Sequence, residues 1–195
     1  MDGSTVFWIV VGLAALVAGT YGVILYNRLV ALKHNVAQAW SNIDVLLKQR
    51  HDELPKLVET CKQYMGYEQA TLAKVMEARG QVQQARAQGD VPGLGAAESG
   101  LRLGLGQLFA LAEAYPDLKA DSQFQHLQDR ISGLENAIAD RREYYNQSVN
   151  SNNIRIEQFP DVLVARLFAF KAFDLLAFSE EETADVNLGA LFGST

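Results

Sequence analysis

Residues 6–26 read VFWIVVGLAALVAGTYGVILY and carry no charged side chain over 21 positions. An α-helix rises about 1.5 Å per residue, so about 20 apolar residues cover the hydrocarbon core of a bilayer. The run therefore predicts a transmembrane helix. Trp8 lies near one end and Tyr21 and Tyr26 near the other, where half-wetted aromatic rings suit the membrane–water interface. A buried core helix is the poorer reading, because helices of soluble domains rarely stay uncharged for so long. A cleavable signal peptide fits poorly as well. The preceding MDGST holds an acid and no base, and the apolar run continues past any cut among the small residues at 15–19.

Charge asymmetry gives this helix a direction. No basic residue precedes it, whereas Arg28, Lys33, Lys48 and Arg50 follow. The positive-inside rule then predicts a single-pass protein of the cell (inner) membrane. Residues 1–5 form a short extracytoplasmic N-terminus, 6–26 the span, and 27–172 a cytoplasmic helical bundle. Residues 173–195 are an acidic tail expected to be flexible.

Composition supports the same picture. The chain has 195 residues, which leaves roughly 165 beyond the span, enough for one core without disulfides or metals. A net charge of −6 gives no electrostatic footprint for nucleic acid. The lone Cys61 has no internal partner for a disulfide, which suits a reducing compartment.

Beyond the span, Leu29, Leu32, Val36, Ala39, Ile43 and Leu46 recur at three- and four-residue steps, and Leu54, Leu57, Cys61, Tyr64, Leu72, Val75 and Val82 resume the series. This is an amphipathic stripe close to a heptad. It predicts a first helix from the anchor to about Ala87, kinked rather than broken at Pro55, since a proline removes one helical hydrogen bond. No break is expected between Tyr26 and Ala39, so the anchor should run directly into the bundle.

The segment at 88–95, QGDVPGLG, reads as a turn. A second helix is expected from about Ala96 to Tyr115. Gly100, Gly104 and Gly106 within it cost helix propensity and suggest close helix approach. Pro116 should end it, and Asp121 or Ser122 should cap a third. The polar stretch at 146–160 is expected to hold that helix's end and a loop, and a short helix is expected over 161–171. The fold class is thus all-α: an N-terminal transmembrane helix continuous with an antiparallel bundle of three long helices, four-helix-like when the first is counted on both sides of Pro55. The first helix outruns its partners. Apolar surface near the membrane must then be covered by the aromatics Phe168, Phe170 and Phe173 folding back, or by another chain.

No catalytic, cofactor-binding or metal-ligating residue is assigned. The chain has no Glu-x-x-His, Cys-x-x-Cys, His-x-x-x-His or P-loop pattern. His34, His51 and His126 are scattered, and the adjacent His51, Asp52 and Glu53 point in different directions around a helix and read as a solvated face. Ser41 and Ser99 have no base at a useful spacing, and Cys61 on the apolar stripe reads as a small core residue. No enzymatic activity is expected. Asn42, Asp44, Arg50 and Asp52 lie near the first stripe, and Arg141, Tyr145 and Asn146 near the third. They read as helix flanks, or as a polar layer in which Asp44 or Asp52 pairs Arg141 or Arg142. Ala15 with Gly19 and Ala18 with Gly22 form small-xxx-small pairs that favour self-association in the bilayer.

Longer motifs add a family. The stretches YNRLV (Tyr26 to Val30), AWSNIDVLLKQRHDELPKLV (Ala39 to Val58), YPDLKA (Tyr115 to Ala120), RREYYNQSVNSNN (Arg141 to Asn153) and FPDVLVARLFAF (Phe159 to Phe170) resemble the LemA family of bacterial membrane proteins. The likeness runs from the span to about Phe170. It implies an N-terminal anchor, an antiparallel helical bundle, an outside N-terminus and a cytoplasmic bulk. It implies no settled activity, and no catalytic residues carry over. A relative in magnetosome-forming bacteria is associated with organelle assembly. The expected role is a membrane-anchored scaffold or adaptor for membrane or cytoplasmic proteins or for itself; the alternative is a sensor signalling along the first helix.

Overall fold

Helix α1 runs from Gly3 to Tyr64 without a break at Pro55. It is joined by α2 (Gln69–Gln88), α3 (Val91–Ala112), α4 (Pro116–Ala120), α5 (Ser122–Glu157) and α6 (Asp161–Leu167). The structure is a computed structural model that describes residues 2–177, and every regular element among them is an α-helix. The described chain divides into two units, one of residues 2–42 with 143–174, the other of residues 43–142 with 175–177.

The second unit is an antiparallel four-helix bundle. Its α1 core is Ile43, Leu47, Arg50, Leu54, Leu57 and Cys61, spaced alternately by four and three so that all face one side. Leu72, Val75 and Val82 of α2, Leu101, Leu105 and Leu108 of α3, and Phe124, Leu127, Ile131 and Ile138 of α5 complete it. Each fully buried side chain of this size contributes roughly 1.5–3 kcal/mol of transfer free energy. Partners across the helices run in opposite senses: Tyr64 meets Asp121 while Arg50 meets Glu135, and Glu68 meets Tyr115 while Val75 lies over Gly104.

Several boundaries differ from expectation. The first helix ends at Tyr64, not near Ala87, because the chain turns through Met65–Glu68, with Gly66 in the turn. The next turn is only Gly89 and Asp90. Gly89 has φ +67°, where L side chains are strained, and its N–H and that of Asp90 close α2 onto Arg86 and Ala85. The Asp90 carboxylate then accepts from the Gly93 N–H at 3.0 Å, so α3 starts at Val91. Pro92 fits that first turn, where a proline loses no hydrogen bond. Asp121 caps α5 as expected, accepting from the Phe124 N–H at 2.9 Å.

Gly100 and Gly106 face open space, and a Cβ at Gly104 would only touch Val75 at 3.6 Å. The close approach expected of these three falls instead on Gly95. A Cβ there would lie 1.9 Å from the Ala177 carbonyl oxygen.

In the first unit, Leu25, Leu29, Val36 and Ala39 of α1 are buried with Tyr145, Val149 and Asn152 of α5 and Ala165 of α6. Trp40 packs on Tyr145 with ring centroids 5.4 Å apart. The polar stretch at 146–160 is helical to Glu157. Its serines, Ser148 and Ser151, donate back to the carbonyls of Tyr144 and Gln147 instead of opening the chain. α6 is shorter than expected. It closes at Leu167 with Ala169 at φ +54°, and the N–H groups of Ala169 and Phe170 reach back to Arg166 and Ala165. The segment that follows has no regular structure and is clamped by Asn153, whose side chain donates to the Phe173 carbonyl and accepts from the Phe173 N–H. Of the tail expected to be flexible, residues 178–195 lie outside the described residues, whereas residues 173–177 are irregular and Leu176 is buried.

Candidate functional site

Arg50 occupies a core position of α1 and is 1% exposed. A guanidinium withdrawn from water is destabilising unless opposite charge and hydrogen bonds meet it. Here Nη2 donates to both carboxylate oxygens of Glu98 on α3, at 2.5 and 2.6 Å, and Nη1 donates to Glu135 on α5 at 2.5 Å. Burial alone would lower the Arg50 pKa, but the two carboxylates and their hydrogen bonds raise it, so it stays charged. Three helices are thereby held at one level of the second unit. Nearby, Glu53 is also buried and pairs Arg130 of α5 at 3.0 Å and Lys56 at 3.0 Å.

Pro55 bears on the same stretch. Its missing N–H leaves the His51 carbonyl without its usual helical donor. Arg79 of α2 supplies one, donating from Nε to the His51 carbonyl at 3.0 Å, with Nη2 2.6 Å from the imidazole Nε2. Burial, then the Arg79 charge, holds the His51 pKa below its ordinary value, so the neutral ring accepts. The adjacent trio expected on a solvated face is therefore split: His51 is half-buried and bonded, Glu53 is buried, and only Asp52 is exposed. The expected polar layer exists with other partners. Asp44 is paired with Arg86 of α2 rather than with Arg141 or Arg142, and the Arg86 hydrogen bonds hold its carboxyl below the usual range. Arg50 was visible in the sequence as a charge beside the stripe; Glu98 and Glu135 gave no local signal.

Cys61, Ser99 and His126 sit on three different helices and, among the described residues, offer no reactive arrangement. Cys61 is fully buried and its thiol is pushed up to about 11 by burial, so it is protonated at neutral pH. Ser99 donates within its own helix to the Gly95 carbonyl at 3.2 Å. His126 is exposed on α5. Among the described residues no group of three or more His, Cys, Asp or Glu side chains is placed to hold a metal.

The first unit offers a groove of about 610 Å³ lined by Tyr26, Val30, Lys33, His34, Asn152, the backbone turn at Phe168–Lys171, and Phe173. The Tyr26 ring lies 4.7 Å from that of Phe168 and 5.9 Å from that of Phe170. Two of the C-terminal aromatics thus fold back onto the end of the apolar run. The run itself is bare: Leu16 is 70% exposed and Trp8 69%. Among the described residues one helix, α1, is long and apolar enough to cross a membrane by length and composition. Among the described residues an uncharged helix left this exposed from Val6 to Ile24 supports a membrane location.

Similarity to known proteins fits this construction. Magnetosome protein MamQ 2 of Paramagnetospirillum magneticum (strain ATCC 700264 / AMB-1) is 25% identical over 183 residues, covering 82% of this chain and 66% of the relative. Magnetosome protein MamQ of Magnetospirillum gryphiswaldense (strain DSM 6361 / JCM 21280 / NBRC 15271 / MSR-1) is 24% identical over the same shares. The chain therefore spans about two thirds of the length of these relatives. The LemA family model matches residues 39–188, well over half of the sequence, and includes the buried Arg50 stripe and the whole of every helix after α1. The chain belongs to the LemA family.

Proposed function

We propose that this protein is a membrane-anchored scaffold or adaptor, not an enzyme. Residues 6–26 cross the bilayer once, the N-terminus lies outside, and the helical units stand in the cytoplasm. There they offer helical surfaces to other proteins or to further copies of the chain. One observation carries the reading: the bare apolar run and the core stripe belong to one uninterrupted helix, α1, whose buried polar groups are spent on internal ion pairs. Such a helix presents a folded surface from a membrane without a flexible linker. The names of the magnetosome relatives agree with a role in a membrane-associated assembly. Crosslinking in native membranes tests it. A discrete homo-oligomer or one fixed partner is expected; a strictly monomeric protein that captures no partner would overturn it.

A sensor that signals along α1 is the second reading, favoured by the proline whose open carbonyl is held by Arg79. It requires Pro55 to switch between two states. Full function with Pro55→Ala would remove it.

A further inference from the structure

Helix α6 has its polarity reversed. Asp161 and Ala165, one turn apart, face inward and are buried, while Leu163 and Leu167, also one turn apart, face outward. Leu167 is 77% exposed and Phe159, just before the helix, 79%. Phe168 after it and Ile154 on α5 are also exposed. In water a short surface helix buries its leucines and shows its acid. The opposite arrangement marks a surface made for an apolar neighbour.

The position of the patch says which neighbour. Phe168 packs on Tyr26 at 4.7 Å, and Tyr26 is the last residue of the uncharged run. Phe168, at one end of the patch, therefore sits where that run leaves the hydrocarbon. Basic groups lie beside it: Arg166 precedes Leu167 within α6, Lys33 and Lys171 line the groove that Phe168 shares with Tyr26, and Arg28 follows the run. Exposed Leu and Phe beside Lys and Arg is the composition of an element lying in the headgroup region.

We propose that α6, with Phe159 and Phe168, lies in the interface of the same bilayer that holds residues 6–26, as a second membrane contact. This rests on the bilayer seat of residues 6–26 and on neither the scaffold role nor the orientation. The seat fixes the first unit against the membrane surface, and anionic phospholipid strengthens it.

The test is site-directed spin labelling of the full chain in phosphatidylcholine vesicles with and without phosphatidylglycerol. Single cysteines replace Leu163, Leu167, Leu16 and Leu103 in a Cys61→Ser background, and collisions with oxygen and with a water-soluble nickel chelate report depth. Leu16→Cys should read as deep in lipid and Leu103→Cys, on exposed α3 surface, as aqueous. Leu163→Cys and Leu167→Cys should show an oxygen-to-nickel ratio several-fold above Leu103→Cys, rising further with phosphatidylglycerol. Values equal to Leu103→Cys, with Leu16→Cys still in lipid, would overturn the α6 seat alone. An aqueous Leu16→Cys would overturn the anchor with it. Shielding of both α6 sites from oxygen and nickel alike would mean a protein covers the patch, and would also overturn the seat.

Discussion

Arg79 donates its Nε–H to the His51 carbonyl, the acceptor that Pro55 leaves without its helical donor. A side chain 28 positions away completes α1 where the backbone does not. This accounts for a proline in the middle of a 62-residue helix, because the lost bond is replaced from α2 rather than left open.

Removing Arg79 should therefore be costly mainly because Pro55 is present. A hydrogen bond to a charged donor contributes about 1.5–3 kcal/mol, so Arg79→Met should destabilise by about that amount. In a Pro55→Ala background the helix supplies its own donor, and the same substitution should lose much less. A double-mutant cycle by chemical denaturation measures the difference; equal losses in both backgrounds would contradict the arrangement.

The same pair makes acid destabilising. His51 has its pKa lowered in the folded state, first by burial and then by Arg79. The unfolded chain thus takes up a proton that the folded chain refuses. Stability from this group is full above the ordinary histidine value of 6.5 and declines as the pH falls below it toward the lowered value. The Asp44 contribution, also from a lowered pKa, is lost only below its ordinary 3.8. His51→Gln keeps an acceptor without titrating. Its melting temperature should fall less than that of the unsubstituted protein across the weakly acidic range.

Arg50→Met removes the guanidinium that meets the buried Glu98 and the part-buried Glu135. Breaking one partner of a buried pair costs about 3–5 kcal/mol. Replacing Glu98 by Leu in the same chain should recover most of that loss. Thermal melts of the two variants decide it, and a double variant no more stable than Arg50→Met would show that the pair is not what the site supplies.

Glycines within one helix should respond with opposite signs. Gly100 and Gly106 face open space, so alanine should stabilise α3 by up to about 1 kcal/mol at each through helix propensity. Gly95→Ala drives a Cβ into the Ala177 carbonyl. It should lower the melting temperature and raise amide exchange around residues 175–177.

Much of this was legible because it is local. The uncharged run, the three-and-four spacing from Leu29 to Cys61 and the Asp121 cap each write their structure into neighbouring residues, although the stripe passes through Leu47 and Arg50 where Leu46 was expected. That α1 continues past Pro55 was expected from the unbroken stripe, but its compensating donor, Arg79, lies on another helix and left no mark in the local sequence. Arg50 stood out as a charge beside a stripe, but Glu98 and Glu135 reach it only in three dimensions. Ser148, Ser151 and Asn153 resembled loop residues until their partners were known, two donating within the helix and one clamping Phe173. The reversed face of α6 follows from how Asp161 and Ala165 pack, which a seven-residue pattern does not specify.

The anchor and its direction are tested most directly by cysteine labelling in intact cells with a membrane-impermeant maleimide, on a Cys61→Ser background. Ser4→Cys should label from outside, Leu16→Cys should resist labelling even after permeabilisation, and Leu103→Cys should label only after it. Ready labelling of Leu16→Cys in permeabilised cells would contradict the membrane span, and labelling of Leu103→Cys in intact cells would contradict the cytoplasmic placement.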